Sequence, residues 1–254
     1  MKYMGSKARI AEPILKIIQQ RADDYGGLDH YIEPFVGGAN IIDKVQMKYR
    51  YGADKHKYLI ALYNNIEKLS ELPDHVSKEH YSEVRECYNK NLGTYPDWYI
   101  GAIGFLSSYN GRFFDGGYAG IVTTKAGSTR DYYDEAKRNL IQQAHLLTDI
   151  QFFHKEYTDI KEDICDYVIY CDPPYKGTKQ YGTSKNFNHV DFWDWCRMMS
   201  EKNIVLISEQ DAPRDFECIW EQEVKRTIDN ASRKRVTEKL FEIDEWALPD
   251  YQWC

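Results

Sequence analysis

The chain has 254 residues, of which 43% are hydrophobic and 29% charged, and its net charge is −7. That length suits one large domain or a core with an inserted lobe, and no run of 18 or more apolar residues marks a membrane span. The opening "MKYMGSKARIAEP" lacks the apolar core of a secretory leader, the six cysteines form no C-x-x-C pair that would suggest zinc or a disulfide framework, and the acidic balance argues against binding nucleic acid by bulk charge while leaving room for a local basic face.

In "KYMGSK", Gly5 and Ser6 shape a turn, Ser6 is placed to cap the next helix, and Lys7 can reach an anionic group. "HYIEPF" (30–35) predicts a strand, followed by "VGGAN" and a short helix. Gly37 and Gly38 allow close backbone approach at the carboxyl end of that strand, but the spacing is not the G-x-G-x-x-G of a dinucleotide site. "YRYGAD" (49–54) predicts a second strand ending in Asp54. An acid there either accepts ribose hydroxyls or is an ordinary strand-end aspartate. Leu59, Leu62, Tyr63, Ile66 and Leu69 then recur at helical spacing.

From residue 66 to 148 the rhythm changes. Trp98, Ala102, Phe105 and Tyr109, and later Ala136, Leu140, Ala144 and Leu147, follow helical periods on either side of "YNGRFFDGGYAGIVTTKAGSTRDYY". This interval is expected to be an inserted helical lobe with an exposed loop or hairpin. Beyond it "IQFFHKE" (150–156), "DYVIYCD" (166–172) and "NIVLISEQ" (203–210) predict strands. "HVDFWDWCRMMSEK" predicts a helix with Phe192, Cys196 and Met199 on one face, and "FECIWEQEV" with "EKLFEID" a closing pair of strands. Strands alternating with helices imply an α/β fold with a mainly parallel, twisted sheet.

The sharpest motif is "YCDPPYKGT" (170–178). An acid at the carboxyl end of a central strand lies where open α/β sheets bind ligands. Pro173 and Pro174 remove two backbone donors, so the carbonyls there are available as acceptors. Asp172 adds a further acceptor and Tyr175 a planar face. Together they suit an exocyclic amino group on a planar heterocycle.

The pieces "YMGSK", "EPFVGGAN", "ADKHKYLIALYNN" and "YCDPPYKGT" occur in the order found in the Dam-like DNA adenine-N6 methyltransferases, which this chain resembles. The resemblance implies a Rossmann-like class I methyltransferase fold with an inserted, mostly helical target-recognition lobe. Residues 1–65 and 149–254 would form the S-adenosylmethionine-binding catalytic domain, and 66–148 the target-recognition domain. It implies cofactor contacts at Tyr3, Lys7, Glu33, Gly37, Gly38, Asp54, Glu156, Tyr157 and Asp172. Asp172, Pro173 and Tyr175 would be the catalytic residues, acting on an adenine flipped from double-stranded DNA. Tyr109 and Asn110 match a segment that lies near DNA in the family. Arg112, Lys125, Arg130, Lys176 and Lys179 are the basic candidates for phosphates or base edges. The hairpin after Asn110 departs from the Dam pattern, so the GATC target does not carry over. No metal is expected. The implied setting is the cytoplasm of a bacterial or phage-infected cell, as a monomer or weak dimer, with a restriction endonuclease as a candidate companion.

Alternatives are another amino acceptor (cytosine N4, RNA adenine or a protein glutamine) and a DNA-binding relative without catalysis. Serine often replaces the aspartate in cytosine enzymes and asparagine in glutamine enzymes, so Asp172 favours adenine.

Overall fold

The computed structural model describes residues 1–123, 127–176, 187–227 and 233–247. It is a mixed α/β structure. Its strands are β1 (His30–Glu33), β2 (Tyr49–Asp54), β3 (Ile121–Thr123), β4 (Thr129–Asp131), β5 (Ile150–His154), β6 (Tyr167–Cys171), β7 (Ile204–Glu209), β8 (Phe216–Thr227) and β9 (Arg233–Ile243). All but β3 and β4 join a large, mainly parallel sheet in the order β5-β2-β1-β6-β7-β9-β8. The helices are α1 (Ala11–Asp24), α2 (Lys57–Tyr63), α3 (Lys78–Lys90), α4 (Asp97–Leu106), α5 (Tyr132–Leu147) and α6 (His189–Ser200).

The chain folds as two compact units, the first comprising Met1–Ala11, Val36–Lys44 and Tyr51–His154, the second Glu12–Phe35, Val45–Arg50 and Lys155–Cys254. The whole 66–148 stretch lies in the first unit. There α4, "DWYIGAIGFL", is buried along almost its entire length. It meets α2 through Gly101, where a Cβ would stand 2.1 Å from the Tyr58 carbonyl oxygen. Only a residue without a side chain permits that crossing. Where a loop or hairpin was expected, β3 and β4 pair antiparallel, Ile121 opposite Asp131. Asp131 then caps α5 by accepting from the N–H groups of Tyr133 and Asp134 at 3.0 and 3.1 Å.

Three helical expectations shift. "VGGAN" leads only to a 3-10 turn at Ile42–Lys44. The pattern 59–69 breaks after Tyr63, where Asn64 closes α2 and Asn65 turns its side-chain amide to the Ala61 carbonyl at 2.9 Å; a separate 3-10 turn follows at Ile66–Glu71. Asparagine side chains compete for backbone groups in this way, which the apolar period alone does not register. Finally, α4 stops at Leu106, leaving Tyr109 exposed in a turn.

In the second unit β1, β6 and β7 run parallel, with Ile32 opposite Ile169 and Cys171 opposite Ile207. Val168 to Cys171 are all buried, as a strand covered on both faces requires. The predicted face of α6, Phe192, Cys196 and Met199, packs into the same core as Ile169, Cys171, Val205 and Ile207. The closing pair β8 and β9 is antiparallel, Val224 opposite Val236, and β9 also pairs antiparallel with β7.

Candidate active site

In the first unit the glycine turn is strapped from several sides. Val36 N–H donates to the Ala53 carbonyl at 2.9 Å, and Ala39 N–H to the Val36 carbonyl at 2.8 Å. Gly37, at φ +45°, donates its N–H to Asp54 Oδ2 at 3.1 Å, and its carbonyl accepts from the Tyr63 hydroxyl at 2.6 Å. Asp54 Oδ1 accepts from His56 N–H at 2.9 Å. Burial raises the Asp54 carboxyl above its usual range, opposed by those two N–H groups.

Tyr3 crowds both glycines. A Cβ on Gly37 would lie 2.9 Å from the Tyr3 ring, and one on Gly38 would lie 2.5 Å from Asn40 Nδ2 and 2.8 Å from the Tyr3 Cβ. The glycines thus admit the N-terminal segment, whose Tyr3 also packs on Phe105 with ring centres 5.8 Å apart. Ser6 Oγ accepts from Ala8 N–H at 3.3 Å and from Asn40 Nδ2 at 2.9 Å, but the cap position of the helical turn that opens at Ala8 is Lys7 rather than Ser6, so Ser6 serves the turn. Lys7 is buried.

His56 was not legible as a site residue. Its ring lies against Phe113 and Phe105, with centres 4.4 and 5.0 Å away, and burial pushes its pKa down to about 4. The imidazole is therefore neutral at physiological pH, and its Nδ1 is buried without a hydrogen-bond partner.

Also in this unit, two of the candidate DNA residues, Tyr109 and Arg130, meet at Tyr132, another residue the sequence did not single out. Tyr109 lies edge-on to it at 6.4 Å, the Arg130 guanidinium stands over it at 4.6 Å, and Lys2 Nζ at 5.1 Å. Arg130 is also clamped by Glu135 through two bonds of 2.6 and 2.7 Å. Asn110 (φ 56°) and Gly111 (φ 64°) take left-handed backbone, and Arg112 follows, half-buried. Lys125 and Lys179 lie outside the described residues.

In the second unit three acids end parallel strands: Glu33 closes β1, Asp172 follows β6 and Glu209 closes β7. Glu33 is buried and accepts from the Tyr31 hydroxyl at 2.7 Å. Asp172 is partly exposed, between buried Cys171 and buried Pro173. Its negative charge reaches Tyr170, whose phenol is held well above its ordinary range by burial and by Asp172, Glu33 and Glu238. The Tyr170 hydroxyl bonds Ser208 Oγ at 2.8 Å. Tyr175 is buried, and its hydroxyl donates to Glu238 Oε2 at 3.0 Å. Lys176 is exposed, and its N–H donates to Glu209 Oε2 at 3.2 Å. Tyr157 sits among Phe35, Phe192 and Trp195, at 5.6, 5.6 and 5.3 Å, while Glu156 is exposed beside it.

Glu209 and Glu238 were thus missed. The one available signal was periodic: Glu238 is in phase with Leu240 along β9, and both are buried.

The model of the D12 class N6 adenine-specific DNA methyltransferases matches residues 3–197. Among curated proteins, the chain is similar to the Type II methyltransferase M.MjaIII of Methanocaldococcus jannaschii: 24% identical over 221 residues, covering 76% of this chain and 74% of that protein.

Proposed function

Given that the chain belongs to the D12 class N6 adenine-specific DNA methyltransferases, we propose that it moves a methyl group from S-adenosylmethionine to the N6 of an adenine flipped out of duplex DNA, with Asp172 as the key acid. The observation that carries this reading is the position of Asp172. It emerges partly exposed from the carboxyl end of β6, a strand flanked by parallel β1 and β7, the edge at which α/β sheets bind ligands.

Flipping the base costs roughly a few kcal/mol, and stacking on Tyr175 returns about 1–3 kcal/mol. Asp172 and the Pro173 carbonyl accept the two amino hydrogens, which turns the nitrogen lone pair out of the ring plane. The acceptors are already in place for the positive charge that grows on the nitrogen, so little reorganisation is needed. The nitrogen's proton passes to Asp172 only as the amine becomes acidic during transfer.

The donor supplies an electrophilic methyl group on a positively charged sulfur. The donor set fits it. A carboxylate offers about four acceptor sites, and the Gly37 and His56 N–H groups occupy Asp54 from one side each, leaving capacity for ribose hydroxyls. Tyr3, Lys7, Glu33, Gly37, Gly38, Glu156 and Tyr157 are the remaining residues assigned to the cofactor.

Residues 66–148 are assigned to target recognition. Tyr109, Asn110, Arg112 and Arg130 contact DNA, with Lys125, Lys176 and Lys179 as further basic contacts. The similarity to a Type II methyltransferase supports a restriction–modification setting with a companion endonuclease. DNA as substrate points to the cytoplasm of a bacterial or phage-infected cell.

The test is transfer of labelled methyl groups to unmethylated duplex DNA, with Asp172→Ala alongside, followed by digestion to nucleosides. N6-methyladenine from the wild type alone is the expected result. N4-methylcytosine, or cofactor binding without transfer, overturns the proposal.

A further inference from the structure

We infer that Glu238 is a positioning residue: through the Tyr175 hydroxyl it fixes the aromatic ring against which the target base stacks. The inference rests on the adenine-methylating reading of the same site.

Glu238 lies within β9, opposite Gln222 of β8, and is only 4% exposed. A carboxylate in the interior of a strand is costly unless hydrogen bonds meet it. Here the Tyr175 hydroxyl, 3.0 Å from Oε2, supplies one. Tyr175 itself hangs on a segment that makes no regular strand or helix after β6, so the backbone alone gives its ring no lattice of ladder bonds. Two buried acids are among the groups that hold it. One is Glu238, bonded to the hydroxyl at the far end of the ring. The other is Glu209, whose carboxylate accepts from Lys176 N–H at 3.2 Å and from Gln210 N–H at 2.8 Å, tying down the residue directly after Tyr175.

Packing around the buried ring already limits its swing about the first side-chain torsion, and the bond at the phenolic oxygen fixes the far end of the ring as well, so its plane keeps one orientation, the form in which a stacking residue contributes to catalysis. The donor side of the tether persists as pH rises. Burial and the charges of Asp172 and Glu238 hold the Tyr175 phenol well above its ordinary range, so it stays a donor.

The experiment is a double-mutant cycle on the full chain: Glu238→Ala, Glu238→Gln, Tyr175→Phe and Glu238→Ala/Tyr175→Phe. Steady-state methylation of duplex DNA and cofactor affinity are measured for each. Glu238→Ala and Tyr175→Phe are each expected to lower kcat/KM for DNA on the order of 10-fold, with cofactor affinity unchanged and the double variant no worse than either single one. Gln, which still presents an acceptor oxygen, is expected to restore most of the rate. In parallel, the ring 13Cζ resonance of Tyr175, assigned by its loss in Tyr175→Phe, is expected to move in Glu238→Ala and to stay close to its wild-type position in Glu238→Gln.

Additive losses in the cycle, a Gln variant as impaired as the Ala variant, or a 13Cζ resonance indifferent to Glu238→Ala in an active wild-type background each overturn the inference. A wild type that methylates no adenine overturns the underlying reading, and is distinguished by its inactivity from failure of the tether alone.

Discussion

Gly37 and Asp54 are joined by a 3.1 Å hydrogen bond from the glycine N–H to the aspartate Oδ2, and the other oxygen of the same carboxylate holds His56 N–H at 2.9 Å. The acid assigned to the ribose therefore also sets the conformation of the glycine turn. Asp54→Asn puts an amide NH2 against one of those two donors. The substitution is expected to destabilise the fold by about 1–3 kcal/mol and to weaken cofactor affinity. Urea unfolding and calorimetric titration check the two effects separately.

His56 carries a pH signature. Its pKa in the folded protein is about 4, against 6.5 for the exposed group, because burial disfavours the charged ring. The unfolded chain takes up the proton first as pH falls, so stability present above 6.5 is lost progressively between 6.5 and about 4. The full effect is on the order of 3 kcal/mol. His56→Phe, which keeps a ring beside Phe105 and Phe113, is expected to flatten that part of the pH dependence. Unfolding midpoints for both proteins at neutral and mildly acidic pH decide it.

Gly101 sits where two helices cross. Alanine is the better helix former by about 1 kcal/mol, yet its Cβ would lie 2.1 Å from the Tyr58 carbonyl oxygen and 3.0 Å from the carbonyl carbon. Backbone cannot swing aside as a side chain can, so the clash wins. Gly101→Ala is expected to lose about 1–3 kcal/mol overall, seen as a lower Tm.

Arg130 must leave Glu135 to reach a phosphate. Their pair is exposed, so Arg130→Ala is expected to change stability by less than about 1 kcal/mol. If Arg130 meets DNA, the same substitution lowers the slope of log affinity against log salt by about 1. Glu135→Ala releases the guanidinium and is expected to strengthen binding. Titrations of a fluorescent duplex at several salt concentrations measure both variants.

Much of the fold was legible because its signals are local. "YRYGAD" predicts strand 49–54, which is where β2 lies, and Phe192, Cys196 and Met199 share a helical face that is buried in α6. The helix expected across 59–69 broke after Tyr63, where the Asn65 side-chain amide takes the Ala61 carbonyl at the end of α2. An apolar period counts side chains and is blind to that competition. The placement of Asp172 could also be read from its neighbours: an acid after an apolar strand and before two prolines sits just beyond the strand end, where it follows β6.

Glu209, Glu238, His56 and Tyr132 could not be read in that way. Each meets a partner distant in sequence: Glu238 meets Tyr175, Glu209 meets Lys176, His56 meets Phe113 and Tyr132 meets Tyr109. The amino-acid sequence by itself determined the strand and helix alternation and the order of the motifs, since these rest on residue type and near-neighbour spacing. Only the tertiary structure decided that Tyr3 and Asn40 close in on the glycine turn, that Asp54 holds that turn, and that a buried acid on β9 grips the hydroxyl of Tyr175. Those relationships depend on register and chain crossing, which place residues tens of positions apart within hydrogen-bond distance.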